Sequence, residues 1–190
     1  MAETIERAAS AKVDTAVGDR LSTLRVLGAV LALPFMVVIV LPTLIVIFLG
    51  EVDTRWPFSV PVYITSRGVG LLLIGAGLWL LVKTVGLFAS VGKGTLAPWD
   101  PPKKLVIEGP YRYVRNPMIT GVVTILLGEA VFVGSLAIAE LAVIFFVINY
   151  VYFLISEEPG LVRRFGEDYK TYMTHVPRWL PRTTPWEKSA

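Results

Sequence analysis

The chain has 190 residues, of which 54% are hydrophobic and 17% charged, a balance too apolar for an ordinary soluble domain. It contains no cysteine, which excludes disulfides and thiolate metal sites, and its single histidine, His175, argues against a zinc or haem site. The formal net charge of +3 comes from lysines and arginines that flank apolar runs. This pattern is typical of membrane proteins that contact anionic lipids and does not indicate nucleic-acid binding.

The first part of the chain predicts two transmembrane helices within residues 24–91, after a polar N-terminal segment of residues 1–23. Residues 26–50 carry no charge, and about 20 apolar residues are enough to cross the hydrocarbon core of a bilayer. Pro34 and Pro42 predict kinks in this first helix, because proline removes a backbone hydrogen bond.

The second helix is predicted over residues 68–91, after an interfacial loop of residues 51–67 that contains aromatic residues and prolines. Its one charged residue, Lys83, lies late enough to reach the membrane surface. Small residues along this helix predict close packing, since membrane helices associate through small side chains. These residues are Gly68, Gly70, Gly75, Ala76 and Gly77.

Residues 92–117 predict an ordered cytoplasmic loop or lid, because prolines interrupt them and five of them are basic. Residues 118–156 follow as a transmembrane helical hairpin that turns near Gly134-Ser135. The turn would place Glu129 and Glu140 at similar depth, facing water or each other.

Residues 157–190 predict a cytoplasmic amphipathic helix and a basic tail. The helix carries one aromatic and apolar stripe at spacings of four, four and three residues, which would lie on the membrane surface or over the loop 92–117. The stripe consists of Leu161, Phe165, Tyr169 and Tyr172. A basic segment after the last helix places both termini in the cytoplasm, so the fold is predicted as all-α with about four transmembrane helices.

The two ends of the hairpin predict a site. The topology brings Asn116-Pro117 and Glu157-Glu158 to the same cytoplasmic face, within about 8–10 Å of each other. Arg115 supplies a cationic edge and the two glutamates an anionic edge, while Tyr111, Tyr113, Tyr169 and Tyr172 supply aromatic walls. Such a pocket suits a zwitterionic ligand with a flat base, although a plain salt bridge beside interfacial tyrosines would give the same pattern. Asn149, deeper in the hairpin, would bond between helices or touch a ligand.

The succession GPYRYVRNP, an apolar hairpin and EEPGLVRRFGEDYKTYMTHVPRWLP resembles the isoprenylcysteine carboxyl methyltransferase family and its relatives, the phospholipid N-methyltransferases. The resemblance covers residues 92–183. It implies a helical enzyme of the cytoplasmic membrane that binds S-adenosylmethionine at its cytoplasmic face through an R-H-P-x-Y-x-G motif and a later E-E pair. Five residues match, and Asn116 and Ile119 stand where the motif has His and Tyr. The matching residues are Arg115, Pro117, Gly121, Glu157 and Glu158.

The resemblance assigns catalytic roles to Arg115, Glu158 and Arg164, with S-adenosylmethionine as the cofactor and a lipidic or small apolar molecule as the methyl acceptor. An acceptor carboxylate, as on an isoprenylated cysteine, would be held by Arg163 or Arg164, whereas an acceptor amine would use Glu158 as its base. The residues expected to bind the cofactor are Tyr111, Tyr113, Asn116, Pro117, Gly121, Glu157, Tyr169 and Tyr172.

Three interpretations remain open at this point. The first is the methyltransferase acting on an apolar or lipid-anchored acceptor. The second is an enzyme of the same family that methylates a phospholipid amine or a small thiol. The third is a non-catalytic membrane module, in which the Arg/Glu boundary is a salt-bridged latch.

Overall fold

The computed structural model describes Gly28 and residues 31–49, 60–87, 90–91 and 104–187, and these contain helices and no strand. The predicted N-terminal segment 1–23, much of the interfacial loop and the first part of the cytoplasmic loop lie outside the described residues. The helices are α1 (π-helical over Leu31–Val40, then α-helical over Leu41–Leu49), α2 (Val60–Leu87), α3 (Pro117–Val133), α4 (Leu136–Tyr152), α5 (Glu158–Phe165) and α6 (Glu167–His175).

Helix α1 runs through both prolines of its apolar segment. Around Pro34 the helix widens into the π-helical stretch Leu31–Val40, and α-helical geometry resumes at Leu41. A missing proline N–H breaks the regular hydrogen-bond ladder, and a wider turn is one way to accommodate it.

Helix α2 begins at Val60, so the predicted start at Gly68 was wrong. Residues 60–67 had been assigned to the interfacial loop because of their proline and aromatic content. Pro61 instead lies in the first turn, where a helix tolerates proline because the missing N–H would have no partner. Thr65 Oγ1 donates to the Pro61 carbonyl at 2.8 Å, and the Arg67 guanidinium lies over the Tyr63 ring at 4.8 Å.

Helices α2 and α3 pack backbone to backbone through glycines spaced seven residues apart on each helix. A Cβ built on Gly77 would lie 2.6 Å from the Gly121 carbonyl oxygen, and one on Gly128 would lie 2.9 Å from the Gly70 carbonyl oxygen. Gly70 and Gly77 thus confirm the predicted packing role, whereas Gly68 and Gly75 have nothing within 4 Å of a built Cβ among the described residues. This glycine seam fixes the position of α3, at whose start the predicted site lies.

Gly77→Ala is expected to destabilise the protein, because the added methyl group meets backbone atoms that cannot move without separating α2 from α3. Overpacking of this kind typically costs about 1–3 kcal/mol. Gly75→Ala, two residues away on the same helix, is the matched control and should leave stability unchanged or slightly higher. Thermal unfolding of both variants in one detergent tests this; equal melting temperatures would contradict the seam.

The predicted hairpin is confirmed. Gly134 ends α3 with φ of 84°, a conformation that favours glycine, and the Ser135 hydroxyl caps α4 by accepting from the Ile138 N–H at 3.3 Å. Asn149 does not bond between helices, because its Nδ2 donates to the Phe145 carbonyl of its own helix at 2.8 Å.

The hairpin's two glutamates lie on either side of this turn. Glu140 is exposed, and Glu129 is partly buried with no hydrogen-bond partner for its Oε2 within the described part of the chain.

One core holds the four apolar helices together. Val38 of α1, Leu81 of α2, Ile125 of α3 and Ala142 of α4 are buried in a single cluster. Large apolar side chains cover much of the outer surface; Phe48 is 77% exposed and Leu72 is 75% exposed. An apolar surface around an apolar core is what a bilayer requires of the helices within it.

Two of the described helices are long and apolar enough to cross a membrane, namely Val60–Leu87 and Leu136–Phe165. The other two apolar helices, Pro34–Leu49 and Pro117–Val133, are shorter. The all-helical fold is therefore as predicted, and the count of four spans stays a prediction.

The C-terminal helices do not form one separate amphipathic helix. A π-helical turn, Phe153–Glu157, joins α4 to α5 without a break, and the break comes instead at Gly166, whose φ is 55°. The predicted stripe is nevertheless confirmed. Its tyrosines, Tyr169 and Tyr172, are buried in a second core with Leu105 and Ile107, so α6 folds over the loop that precedes α3.

Candidate active site

The start of α3 and the start of α5 are joined by an ion cluster. Arg115 Nη1 lies 2.7 Å from Glu158 Oε1, and the side chains of both residues are 9% exposed. Arg178 adds a two-point contact, with Nε 2.8 Å from Oε1 and Nη2 2.8 Å from Oε2 of the same carboxylate. Charge-assisted pairs of this geometry are the stronger hydrogen bonds in proteins. The predicted approach of Arg115 and Glu158 is therefore present, and Arg178 completes it.

Arg178 belongs to a C-terminal strap, residues 177–187, that runs beside residues 112–115. The Arg115 N–H donates to the Pro177 carbonyl at 2.9 Å, the Arg182 N–H to the Tyr113 carbonyl at 3.0 Å, and the Trp186 N–H to the Arg112 carbonyl at 2.9 Å. These bonds hold the segment before α3 in an extended path, and they fix where Arg115 and Asn116 emerge.

A cleft opens between this segment, the π-helical turn and helices α5 and α6. Its enclosed part measures about 90 Å³, whereas pockets for whole drug-sized ligands are roughly 300–1000 Å³. The cleft as it stands would hold one end of such a ligand. It is lined by Lys104, Leu105, Val106, Tyr111, Arg115, Asn116, Met118, Ile119, Phe153, Glu157, Leu161, Phe165, Tyr169 and Tyr172.

Two buried donors at the cleft have no acceptor among the residues that the structure describes. They are Nε of Arg115 and Nδ2 of Asn116. Asn116 is the N-cap of α3, where an asparagine side chain ordinarily caps the helix, yet this one makes no capping bond. A buried donor without a partner costs about 1–3 kcal/mol, so such groups usually await a ligand or water.

A carboxylate stands opposite these donors. Glu157 lines the same cleft, accepts a hydrogen bond from the Tyr152 side chain and feels the charge of Arg164. The cleft thus presents donors on one side and an anion on the other. A ligand with both a carboxylate and a cationic group matches this arrangement.

The tyrosines of the cleft are neutral aromatic walls. Burial, with a smaller contribution from the charge of Glu158, raises the pKa of Tyr169 to about 12. Burial also raises the pKa of Tyr111 and of Tyr172 above the ordinary value. The Tyr172 hydroxyl donates to the Tyr111 carbonyl at 2.7 Å, which fixes one wall of the cleft to the floor of the loop.

Six of the residues predicted for the site line the cleft together: Tyr111, Arg115, Asn116, Glu157, Tyr169 and Tyr172. Glu158 lies behind Arg115, and Arg164 neighbours Glu157 outside the cleft lining. Tyr113, Pro117 and Gly121 do not line it. Gly121 belongs to the glycine seam, where its built Cβ would lie 3.1 Å from the Gly77 carbonyl oxygen, so the structure places it away from the cofactor position predicted for it.

Sequence reasoning missed Arg178 and most of the apolar lining. Met118 and Phe153 line the cleft from the two hairpin helices, and Ile119 presents an aliphatic side chain where the family motif has an aromatic one. The signal for Arg178 was the motif VPRWLP, in which a single arginine is flanked by prolines at the end of a buried helix. Nothing in its spacing from Glu158 points to a contact.

Comparison with protein families gives one match. The model of the phospholipid methyltransferase family matches residues 65–168, which is more than half of the chain and includes α2, the hairpin, the ion-pairing glutamate and the start of α6. A comparison with curated proteins gives no significant match. The chain therefore belongs to the phospholipid methyltransferase family, a family of membrane methyltransferases that act on lipid.

Proposed function

We propose that the chain transfers a methyl group from S-adenosylmethionine to a lipidic acceptor, and that the cleft between the loop before α3 and helices α5 and α6 binds the cofactor. The observation that carries this proposal is the pair of unpartnered buried donors, Arg115 Nε and Asn116 Nδ2, which face the same cleft as the Glu157 carboxylate. The family match supports methyl transfer, and members of this family generally use this cofactor.

The residues of the cleft fit the cofactor's polar groups. The two donors suit its carboxylate, Glu157 suits its ammonium group, and the tyrosine rings suit a flat base. When bound, S-adenosylmethionine supplies a methyl group on a positively charged sulfur, which an acceptor atom displaces in line. The protein's tasks are then to position the reactants and to exclude water.

A phospholipid amine is the acceptor that the family match favours over the carboxylate of an isoprenylated cysteine. The cleft has an apolar side, formed by Met118, Ile119 and Phe153 at the end of the hairpin, through which a lipid would reach it from the membrane. Methylation of an amine forms a nitrogen–carbon bond, breaks the sulfur–carbon bond and releases one proton. A small thiol would need no apolar entry, so it is the less favoured acceptor.

Glu157 is the better candidate to receive that proton. The structure gives Glu158 both oxygens in hydrogen bonds to Arg115 and Arg178, which makes it a positioning residue and a poor base. Basic residues of the loop and tail support a cleft that faces the cytoplasm.

Arg115→Ala and Glu157→Gln are expected to weaken S-adenosylhomocysteine binding about 10- to 100-fold, because each removes a charge-assisted hydrogen bond to the ligand. Calorimetric titration of the detergent-purified protein measures this. Lys170→Ala and Glu167→Gln are the matched controls, since their side chains form an exposed ion pair on the same face of the protein and do not line the cleft.

Saturable binding that the two cleft variants weaken and the two controls leave intact supports the methyltransferase and justifies an acceptor screen with phospholipid amines first. If the folded wild-type protein binds no cofactor up to millimolar concentration, the latch interpretation, a non-catalytic membrane module, takes its place.

A further inference from the structure

The family match ends at residue 168, whereas the strongest contact to Glu158 comes from beyond it. Arg178 makes two hydrogen bonds to this carboxylate, at 2.8 Å each, while Arg115 makes one at 2.7 Å. The strap that carries Arg178 also pairs its backbone with residues 112–115.

We propose that the strap, residues 177–187, is a working part of the cofactor cleft and that Arg178 is a positioning residue that aims Arg115 through Glu158. This inference rests on the proposed function and adds to it a residue that neither the motif nor the family match includes.

The geometry of the carboxylate gives Arg178 this role. Arg115 Nη1 and Arg178 Nε share Oε1, and Arg178 Nη2 alone holds Oε2. A planar guanidinium bound at both oxygens fixes the rotation of the carboxylate, which a single contact does not. Arg115 bonds this fixed carboxylate through its Nη1, so its own Nε, the unpartnered donor, is kept facing the cleft. Without Arg178, Oε2 would lose its partner and the carboxylate would be free to turn.

The strap reaches the apolar wall of the cleft as well. The Trp179 ring lies 5.9 Å from the Phe153 ring at right angles and 4.9 Å from the Phe146 ring. Phe153 is itself part of the cleft lining. One dipeptide of the strap therefore supports both the polar side of the cleft, through Glu158, and the apolar side, through Phe153.

The test compares three variants of the full-length protein in detergent: Arg178→Gln, Arg178→Lys and Arg182→Gln. Arg182 lies on the same strap and donates to the His175 carbonyl at 2.7 Å, so its variant is a matched control that leaves Glu158 untouched. Two quantities are measured for each: affinity for S-adenosylhomocysteine by calorimetry, and hydrogen exchange of the Arg115 amide, which reports whether the strap stays attached.

We expect Arg178→Gln to weaken binding about tenfold, the order of one hydrogen bond to a charged group. Arg178→Lys should fall between it and wild type, because lysine restores the charge without the two-point contact. Arg182→Gln should bind like wild type, and the Arg115 amide should stay protected in all three proteins, since the backbone bonds and Trp179 remain.

Wild-type affinity in a folded Arg178→Gln protein would overturn the assignment while leaving the cofactor site in place. Equal losses of affinity in the Arg178→Gln and Arg182→Gln proteins, with faster exchange at the Arg115 amide, would show a general fastening role and would also overturn it. A wild-type protein that binds no cofactor would refute the proposed function, and the role of Arg178 with it.

Discussion

Glu158→Gln is expected to lower the free energy of unfolding by about 3 kcal/mol, the order seen when one partner of a buried ion pair is removed. Glu158 is 7% exposed and is bonded by two guanidinium groups, so the variant leaves two positive charges close together with no anion between them. The glutamine amide also replaces an acceptor by a donor, which then faces the donors of Arg178. Cofactor binding should fall with stability, because Arg115 loses the group that positions it.

Equilibrium unfolding in a single detergent measures this effect. Glu167→Gln is the control, because its ion pair with Lys170 has side chains that are 84% and 54% exposed, and such pairs contribute about 0–1 kcal/mol. If the two variants lost the same small amount of stability, the cluster around Glu158 would be a surface ion pair in effect, and its role in the site would have to be abandoned.

Asn116→Leu is expected to weaken S-adenosylhomocysteine binding about tenfold or more while leaving thermal stability unchanged or raised. The Asn116 side chain is buried, makes no capping bond and leaves Nδ2 without an acceptor among the described residues. An apolar side chain of similar shape removes that unsatisfied donor, which is neutral or favourable for folding. The ligand, however, loses a buried hydrogen bond. Opposite signs for folding and binding are the mark of a residue kept for function.

Two further variants sharpen this prediction. Asn149→Leu is the control, since Asn149 Nδ2 donates to the Phe145 carbonyl within its own helix and does not line the cleft. Asn116→His installs the residue of the family motif and should keep affinity near wild type. Unchanged affinity in the Asn116→Leu protein would mean that this donor meets no ligand.

The topology of the site follows from the sequence because a hairpin returns the chain to the same face. Two apolar helices separated by Gly134 must bring Arg115 and Glu158 together, and the structure places them 2.7 Å apart. The aromatic stripe was predictable for a similar reason, since its helical spacing puts Tyr169 and Tyr172 on one buried face.

Contacts made by irregular segments were not predictable in this way. Arg178 reaches Glu158 because the strap turns back along residues 112–115, and no periodicity encodes that path. Gly121 illustrates a second limit. A glycine within a binding motif and a glycine at a helix contact look the same in one sequence, and only the distance to Gly77 decides between them. The start of α2 was missed because proline and tyrosine are common both in interfacial loops and in first helical turns.

The π-helical turn at Phe153–Glu157 has a consequence for how this chain tolerates insertion and deletion. A π turn is equivalent to one extra residue in an α-helix, and each residue of an α-helix rotates the face that follows by about 100°. The extra residue therefore sets the direction of Glu158 independently of the face that α4 turns toward the other apolar helices. Deleting a single residue here, such as Ser156, would keep one continuous helix and its apolar character, yet it would turn Glu158 about a quarter of a circle away from Arg115 and Arg178.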